Sequence, residues 1–354
     1  PEAECRSGLG YLVLMKISKK HTISALVALI IATLFLVLWK EEPKKQFYHN
    51  EGSVFGTYYN IRYETSKDLK DSVVVSFAAF DKSLSMFNPH STLSAINANR
   101  DTVTDAAFEA MWAEAERVHA LSDGAFDITV APLVKAFGFG KKSDQYAEIS
   151  SQTIDSLREF VGFEKVELRD HRVIKQDPRV QLDGGAVAKG QACDMIADLL
   201  ARNGCTNYLV DIGGEVVCHG MNPRGERWHI GITKPNLNNE GAQQDLHEVL
   251  AVSDVCMATS GNYRNFYYVG DERRSHTIDP RTGYPVQHSL LSATVISSTC
   301  MRADALATAC MVLGAEEGMD MIARAGDAAC YFIVAQNDSL ITISSPNWEE
   351  RIKE

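Results

Sequence analysis

Segments with strand and helix patterns follow one another irregularly along this chain of 354 residues. Residues 54–64 alternate as a half-buried strand does, with Tyr59, Ile61 and Tyr63 on one face. Further strands are expected at residues 173–175, 208–212, 228–232, 249–257, 266–269 and 291–297. Helices are expected at residues 68–84, 104–121, 151–161, 187–203, 303–313 and 315–325. Since regular strand–helix–strand alternation is missing, this order favours an α+β fold with one integrated domain over residues 46–346.

Two of the expected helices begin with residues that commonly cap helices. Thr104 is expected to cap the helix at 104–121, and Ser151 is expected to open the helix at 151–161. The hydroxyl of such a residue accepts a hydrogen bond from one of the unpaired N–H groups in the first turn.

Composition narrows the class of protein. The hydrophobic fraction of 45% suffices for a large core, and the formal net charge of −11 argues against nonspecific nucleic-acid binding. No nucleic-acid partner is therefore expected. None of the eight cysteines forms a CxxC pair, and most lie in apolar segments, which is typical of buried small side chains.

The N-terminal region has the pattern of an export segment. Residues 1–14 lack an initiating methionine and are expected to be a non-native or mis-assigned extension. From Met15 onward, Lys16, Lys19 and Lys20 precede an apolar run at residues 23–39. We expect residues 15–45 to form a signal anchor and linker in the cytoplasmic (inner) membrane, with the body facing the periplasm or exterior. A cleaved signal and a buried helix are the alternatives, and residues 347–354 are expected to be a C-terminal tail.

A dense set of polar motifs lies between residues 257 and 314. It reads MATSGNYRNF, then SHTIDPRTGYP, then RADALATACMVLG, and offers oxygen ligands, positive charge and a base. Asp304 and Thr308 are four residues apart on the expected helix, so their oxygens share one face. A carboxylate and a hydroxyl suit a hard cation, although this pair alone is more often a surface charge and a surface hydroxyl.

The first of two earlier motifs suits contact with an anionic ligand, although alone it is more often a structural turn with a solvated lysine. LDGGAVAKGQACD at residues 182–194 joins a Gly-Gly turn to a helix that carries Lys189, and glycines let backbone approach a ligand closely. GAFDITVAPL at residues 124–133, taken alone, is read as a capped turn that enters the next element. Residues 211–215, DIGGE, are interpreted as structural, with the two glycines allowing a tight bend.

The order of these motifs resembles the FAD:protein FMN transferases, also called the ApbE-like flavin-trafficking family, from about residue 52 to about residue 343. The resemblance implies an α+β domain with mixed and antiparallel sheets, a T-fold-like core, packed by helices. It also implies transfer of the FMN part of FAD to a Thr or Ser hydroxyl of an acceptor protein, with release of AMP. Expected acceptors are subunits of membrane redox complexes or exported flavoproteins.

The same resemblance implies roles for individual residues. Asp304, Thr308 and the backbone carbonyl of Ala186 are expected to bind Mg²⁺, with Mn²⁺ as the alternative ion, and His276 is expected to be the general base. The pattern for a second metal on the helix is missing, because Ala307 stands where some members have Asp. Nine residues are expected to contact FAD: Phe55, Phe87, Ala125, Phe126, Asp127, Asp183, Lys189, Arg264 and Ile278.

Two other functions use the same residues. With water as nucleophile, the site would be that of an FAD pyrophosphatase giving FMN and AMP. Without turnover, the protein would be a flavin-binding carrier. Phe87 bears on the first alternative, because it falls where many members have Tyr and it lacks the hydroxyl.

Overall fold

The computed structural model describes residues 19–38, 43–138, 149–235, 245–262, 266–269, 272–275, 277–337 and 339–353. The chain divides into two compact units, Pro1–Lys44 and Lys45–Glu354. The first contains helix α1, Lys19–Leu38, whose side chains from residue 23 to residue 33 are exposed. Over the described ranges, no helix combines the length and the apolar character needed to span a membrane.

The second unit contains the remaining elements. Its helices are α2 (Lys70–Leu84), α3 (Thr92–Asn97), α4 (Ala106–Leu121), α5 (Ala131–Ala136), α6 (Ser151–Arg158), α7 (Ala188–Arg202), α8 (Cys300–Leu313), α9 (Ala315–Ala325) and α10 (Trp348–Arg351). Its strands are β1 (Gln46–Val54), β2 (Thr57–Thr65), β3 (Val166–Arg169), β4 (Arg172–Lys175), β5 (Tyr208–Ile212), β6 (Glu215–His219), β7 (Trp228–Thr233), β8 (Leu246–Val252), β9 (Val255–Gly261), β10 (Phe266–Val269), β11 (Glu272–Ser275), β12 (Leu290–Ser297), β13 (Ala329–Gln336) and β14 (Ser339–Ser344).

An eight-stranded antiparallel sheet organises this unit, in the order β1-β2-β5-β6-β9-β12-β13-β14. Three separate hairpins pair β3 with β4, β7 with β8 and β10 with β11. The predicted α+β fold with antiparallel sheets is therefore confirmed.

Both faces of the large sheet are covered, because successive side chains of a strand point to opposite faces. On one face, Ile61 and Phe332 pack with helices α2, α4, α7, α8 and α9 in the helix-face core. On the other, Met257 and Tyr331 pack with the β7–β8 hairpin and α10 in the hairpin-face core. Every residue of β12 is buried, as a strand covered on both sides requires.

The strand predicted at residues 249–257 is two strands in different sheets. β8 pairs with β7, whereas β9 pairs with β6 and β12. Asp254 lies between them with a φ of 54°, and the Ser253 hydroxyl donates to the Gly220 carbonyl. A residue in the left-handed region ends strand geometry, so the apolar run continues while the chain turns.

The predicted caps of two helices are each displaced by one residue. Asp105, not Thr104, caps α4, and its carboxylate accepts from the Phe108 N–H at 3.0 Å. Thr104 instead donates to Glu109. Ser150, not Ser151, caps α6. In each case two neighbouring polar residues could accept, and the tertiary path of the chain selects one.

The second unit runs to Glu354 and so includes the residues interpreted as a C-terminal tail. Trp348 explains this, since its side chain is 2% exposed and its ring centroid lies 5.4 Å from that of Tyr331. The free cysteines of the described part are buried or half-buried: Cys193, Cys205, Cys218, Cys256, Cys300, Cys310 and Cys330.

Helices α7 and α8 touch at Gly190, and this contact positions the site. A Cβ on Gly190 would lie 2.3 Å from the carbonyl oxygen of Cys300. Only glycine permits this approach, because that distance is far inside van der Waals contact. The Gly190 N–H donates to Asp304 Oδ2 at 3.0 Å, so the polar face of α8 is held against the start of α7.

Candidate functional site

A cleft of about 1660 Å³ opens at one end of the large sheet. Its walls come from the start of α7, from α8, from the turn between β5 and β6, and from the end of β9. Among the residues predicted for the site, those that line it are Ala125, Phe126, Asp127, Asp183, Ala186, Lys189, Ile278 and Thr308. Residues more than 180 positions apart in sequence thus share one cavity.

A lysine between two carboxylates forms the charged centre of the cleft. Lys189 Nζ lies 3.1 Å from Glu215 Oε1 and 3.6 Å from Asp304 Oδ1. Both carboxyl side chains are nearly inaccessible, at 3% and 1% exposed, whereas that of Lys189 is one-third exposed. Buried charges require such pairing, because an isolated charge loses its hydration.

Burial and the neighbouring charges shift the pKa values of Glu215 and Lys189. Burial raises the pKa of Glu215, whereas the Lys189 ammonium opposes this and favours the ionised carboxylate. Burial would lower the pKa of Lys189, but the Asp304 and Glu215 carboxylates outweigh it and raise that pKa. Lys189 therefore carries a fixed positive charge at neutral pH, in a chain whose net charge is −11.

Oxygen donors suitable for a cation lie beside this lysine. Asp304 supplies a carboxylate, and the Thr308 hydroxyl lies 3.2 Å from that of Ser260. Ala186 also lines the cleft, and Glu215 Oε2 is buried without a hydrogen-bond partner among the described residues. Such a set of hard oxygens fits Mg²⁺ or Mn²⁺.

The protein ligands for such an ion are few. Within the described part of the chain, no three His, Cys, Asp or Glu side chains cluster closely enough to hold a metal. A cation here would complete its coordination with ligand phosphate or water, as Mg²⁺ commonly does in nucleotide sites.

The turn that carries Ala125, Phe126 and Asp127 forms another wall. Asp127 caps a short 3₁₀ helix, and its oxygens accept from the Thr129 N–H at 2.8 Å and from the Phe163 N–H at 2.9 Å. His119 Nδ1 is 2.8 Å from the carbonyl oxygen of Phe126. The capped turn is therefore confirmed, and it lines the cleft, whereas its contact with FAD stays a prediction.

Asp183 lies where the chain turns into α7. Its Oδ1 accepts from the Gly185 N–H at 2.7 Å, and its backbone N–H donates to the Ile128 carbonyl at 2.6 Å. Burial raises the pKa of this carboxyl. The turn is thereby tied to the Asp127 segment, and the exposed backbone of Gly185 faces the cleft.

The remaining predicted residues occupy different positions. Ile278 is 5% exposed and packs in a small apolar cluster with Leu133 and Ile154 while lining the cleft. Thr277, which follows His276 in sequence, also lines the cleft and donates to Asn262 Oδ1 at 2.6 Å. His276 and Arg264 lie outside the described residues.

Phe55 and Phe87 are not among the residues that line the cleft. Phe55 forms the β1–β2 turn, and its ring centroid lies 5.7 Å from that of Phe77 and 5.3 Å from that of Phe80. Phe87 is 71% exposed, in the segment between α2 and α3.

Glu215 is the site residue that the sequence interpretation missed. Gly213 and Gly214 have φ values of 68° and 103°, so the predicted tight bend is present. That bend delivers the first residue of β6 into the cleft beside Lys189. The available signal was a single acidic residue at the start of the otherwise apolar strand EVVCH.

Sequence comparison identifies relatives across nearly the whole chain. The ApbE family profile matches residues 55–332. A protein of Vibrio cholerae named FAD:protein FMN transferase is 34% identical over 339 residues, covering 92% of this chain and 97% of its own length. One of Escherichia coli K12 with the same name is 34% identical, covering 91% of this chain and 96% of its own length.

Solved structures agree with this assignment. The flavin transferase ApbE from Vibrio cholerae has a TM-score of 0.77 at 31% identity, covering 87% of this chain and 99% of its own. The apo flavinyl transferase ApbE of Pseudomonas stutzeri also has a TM-score of 0.77, at 30% identity, covering 88% of this chain and 98% of its own. The chain therefore belongs to the ApbE family.

Proposed function

We propose that this protein transfers the FMN part of FAD to a Thr or Ser hydroxyl of another protein and releases AMP. The observation that carries the proposal is one large cleft lined by Lys189 and Thr308, with the buried Asp304 carboxylate 3.6 Å from the Lys189 ammonium. The names of its relatives, FAD:protein FMN transferase, support the choice of FAD and of a protein acceptor.

The transfer would exchange one P–O bond for another. The acceptor hydroxyl oxygen attacks the FMN-side phosphorus, the P–O bond to the AMP phosphate breaks, and AMP leaves with that electron pair. The hydroxyl proton passes to a base, and we propose His276 because histidine is the side chain best suited in general to accept a proton near neutral pH. Arg264 is proposed as a phosphate contact, on the basis of its motif.

The residues of the cleft would mainly bind and orient the substrate. Lys189 offers a fixed positive charge to the pyrophosphate in a chain whose net charge is −11. The backbone around Gly185 permits close approach, and Ile278 offers an apolar surface to a ring. Such positioning and charge stabilisation account for most of phosphoryl-transfer catalysis.

We propose Asp304, Thr308 and the Ala186 carbonyl as the protein ligands of Mg²⁺, with Mn²⁺ as a substitute. When bound, the ion neutralises charge on phosphate oxygens of the leaving group. The surroundings of Asp304 support this proposal, because it is buried beside Lys189 and its second oxygen accepts a hydrogen bond from the Gly190 N–H.

The test combines the full chain with FAD, Mg²⁺ and a candidate acceptor subunit. We expect in-gel flavin fluorescence and an FMN-sized mass gain on the acceptor, and we expect AMP in equal amount. Asp304→Ala, His276→Ala and addition of EDTA should each abolish labelling, while Asp320→Ala, an exposed change outside the cleft, should not.

Two other outcomes would replace the proposal. Steady release of FMN and AMP with no labelling of any acceptor would make the protein an FAD pyrophosphatase. Bound FAD that survives unchanged, with Mg²⁺ and with several acceptors, would make it a carrier.

We also propose that the protein acts outside the cytoplasmic membrane, on subunits of membrane redox complexes or on exported flavoproteins. This proposal rests on the sequence alone, in which Lys16, Lys19 and Lys20 precede the apolar run at residues 23–39. Protease added to intact spheroplasts should digest the body of the protein. Protection until the cells are lysed would contradict an external location.

A further inference from the structure

The cleft has a second arm on the hairpin side of the sheet. We call it the hairpin arm and define it by Asn60, Arg62, Leu209, Arg224, Trp228 and His229, all of which line the cleft. The strand register creates its floor, since Asn60 lies opposite Asp211 and Arg62 opposite Leu209. The alternate residues of β2, among them Ile61, point into the helix-face core.

The hairpin arm leads directly to the charged centre. Asp211 and the turn at Gly213 and Gly214 connect its floor to Glu215, and all of them line the same cleft. β7 supplies its other wall, and a chain lying along this wall would pass the turn and reach Lys189.

The volume of the cleft exceeds what one small ligand requires. Small-molecule sites typically measure roughly 300–1,000 Å³, whereas this cleft measures about 1660 Å³. The proposed reaction needs two substrates at once, a dinucleotide and a hydroxyl carried on a polypeptide. The volume beyond that needed for the dinucleotide is therefore available for the acceptor polypeptide.

The charges in the hairpin arm indicate what kind of segment it binds. Arg62 and Arg224 are exposed, and neither guanidinium makes an ion pair or hydrogen bond with the described residues. Arg302 and Arg179, by contrast, hold carboxylates at 2.9 and 2.7 Å. Two unpaired cations in one groove of a chain with net charge −11 favour an anionic partner.

We propose that the hairpin arm binds an acidic segment of the acceptor polypeptide and directs its hydroxyl toward the charged centre. The inference rests on the proposed function and adds the acceptor site to it. Carboxylates of the segment lie against Arg62 and Arg224, while the partly exposed Leu209 gives its apolar side chains a surface. The competing assignment, that the arm holds part of FAD itself, is an outcome of the test.

The test uses short peptides with one central Thr, flanked in separate sets by Asp, by Asn or by Lys. Each set is incubated with the full chain, FAD and Mg²⁺, and FMN attachment is followed by mass. We expect the Asp set to be labelled about tenfold more efficiently than the Asn set in kcat/KM, and the Lys set least. Raising the salt concentration should reduce the difference.

Arg62→Glu with Arg224→Glu should remove the preference for Asp while leaving FAD affinity unchanged, measured by quenching of flavin fluorescence. Arg169→Glu with Arg202→Glu makes the same change in net charge at exposed positions outside the cleft, and should retain the preference.

Three results would overturn the inference. These are no Asp preference in the unsubstituted chain, the same preference in the Arg62/Arg224 variant, or a parallel loss of FAD affinity in that variant. Absence of labelling in every set, accompanied by release of FMN and AMP, would instead refute protein transfer, and the acceptor site with it.

Discussion

At the residue scale, the Glu215 carboxylate influences how the Lys189 ammonium interacts with Asp304. It pairs with Lys189 at 3.1 Å, closer than the 3.6 Å between Lys189 and Asp304. Glu215 thus draws the ammonium away from the carboxylate that we propose as a cation ligand. Its other oxygen, Oε2, has no hydrogen-bond partner in the described part, so the group is not simply a satisfied structural pair.

We predict that Glu215→Gln raises the Mg²⁺ concentration needed for half-maximal FAD turnover by about tenfold. Without the Glu215 charge, the ammonium of Lys189 has Asp304 as its remaining carboxylate partner and competes with the cation for it. A Mg²⁺ titration at fixed FAD checks this. Glu116→Gln, an exposed change on α4, is the control, and an unchanged Mg²⁺ requirement in Glu215→Gln would contradict the explanation.

Asp194 provides a second prediction at the residue scale, through pH. It accepts from the N–H groups of Cys300 at 2.9 Å and Met301 at 2.8 Å, and burial raises its pKa to about 6. The folded state therefore retains a proton that the unfolded chain releases near pH 4. The contribution of this group to stability is largest below that pH and is lost as pH rises through about 6.

Urea unfolding of the native chain and of Asp194→Asn should separate this effect from all other titrations. The stability of the native chain relative to the variant should fall by up to about 3 kcal/mol between pH 4 and pH 7. Asp320→Asn, exposed on α9, should show no such trend. A difference that stays constant with pH would rule out the proton on Asp194.

At the scale of elements, α4 depends on one carboxylate that joins three segments. Asp105 accepts from the Phe108 N–H and from the hydroxyls of Ser83 at 2.6 Å and Thr92 at 2.7 Å. It thus ties the start of α4 to the end of α2 and the start of α3. A cap that also joins neighbouring helices stabilises more than the helix it begins.

Asp105→Ala should lower the free energy of unfolding by about 2 kcal/mol or more, since the cap and both hydroxyl contacts are lost together. Chemical denaturation with circular dichroism measures this. Asp71→Ala also removes a first-turn acid, from α2, but one that makes no cap, and it should cost less than about 0.5 kcal/mol. Equal effects in the two variants would contradict the linking role.

At the scale of the whole molecule, the sheet is stable because it is covered on both faces. The hairpin-face core depends on a few large residues, of which Trp348 and Trp228 are prominent. The same hairpin that completes this core forms a wall of the hairpin arm. Stability and the shape of the hairpin arm are therefore coupled through β7.

Trp348→Ala should destabilise the Lys45–Glu354 unit by about 3–5 kcal/mol, because it leaves a cavity against Tyr331. Trp348→Phe retains much of the volume and should cost distinctly less. Thermal and urea unfolding provide the comparison. Near-native stability of Trp348→Ala would mean that the C-terminal residues are a dispensable tail, as the sequence first indicated.

Much of the local structure was predictable because it is encoded over short distances. β5, β10 and α9 have the predicted bounds, since strong apolar periodicity and glycine stops act within one element. The Asp304–Thr308 spacing likewise depends on helix geometry alone. The caps of α4 and α6 and the break at Asp254 were missed, because neighbouring polar residues compete and tertiary contacts select among them.

By itself, the sequence determined the α+β class, most of its elements and the polar motifs that identify the family. The tertiary structure alone decided which motifs meet. The Gly190–Asp304 hydrogen bond joins residues 114 positions apart, and Lys189 and Glu215 are brought together by a helix packing on a sheet. Periodicity records which face of an element is apolar, but not which other element will cover it. The charged centre and the hairpin arm form only where a helix and the β7–β8 hairpin pack on the large sheet.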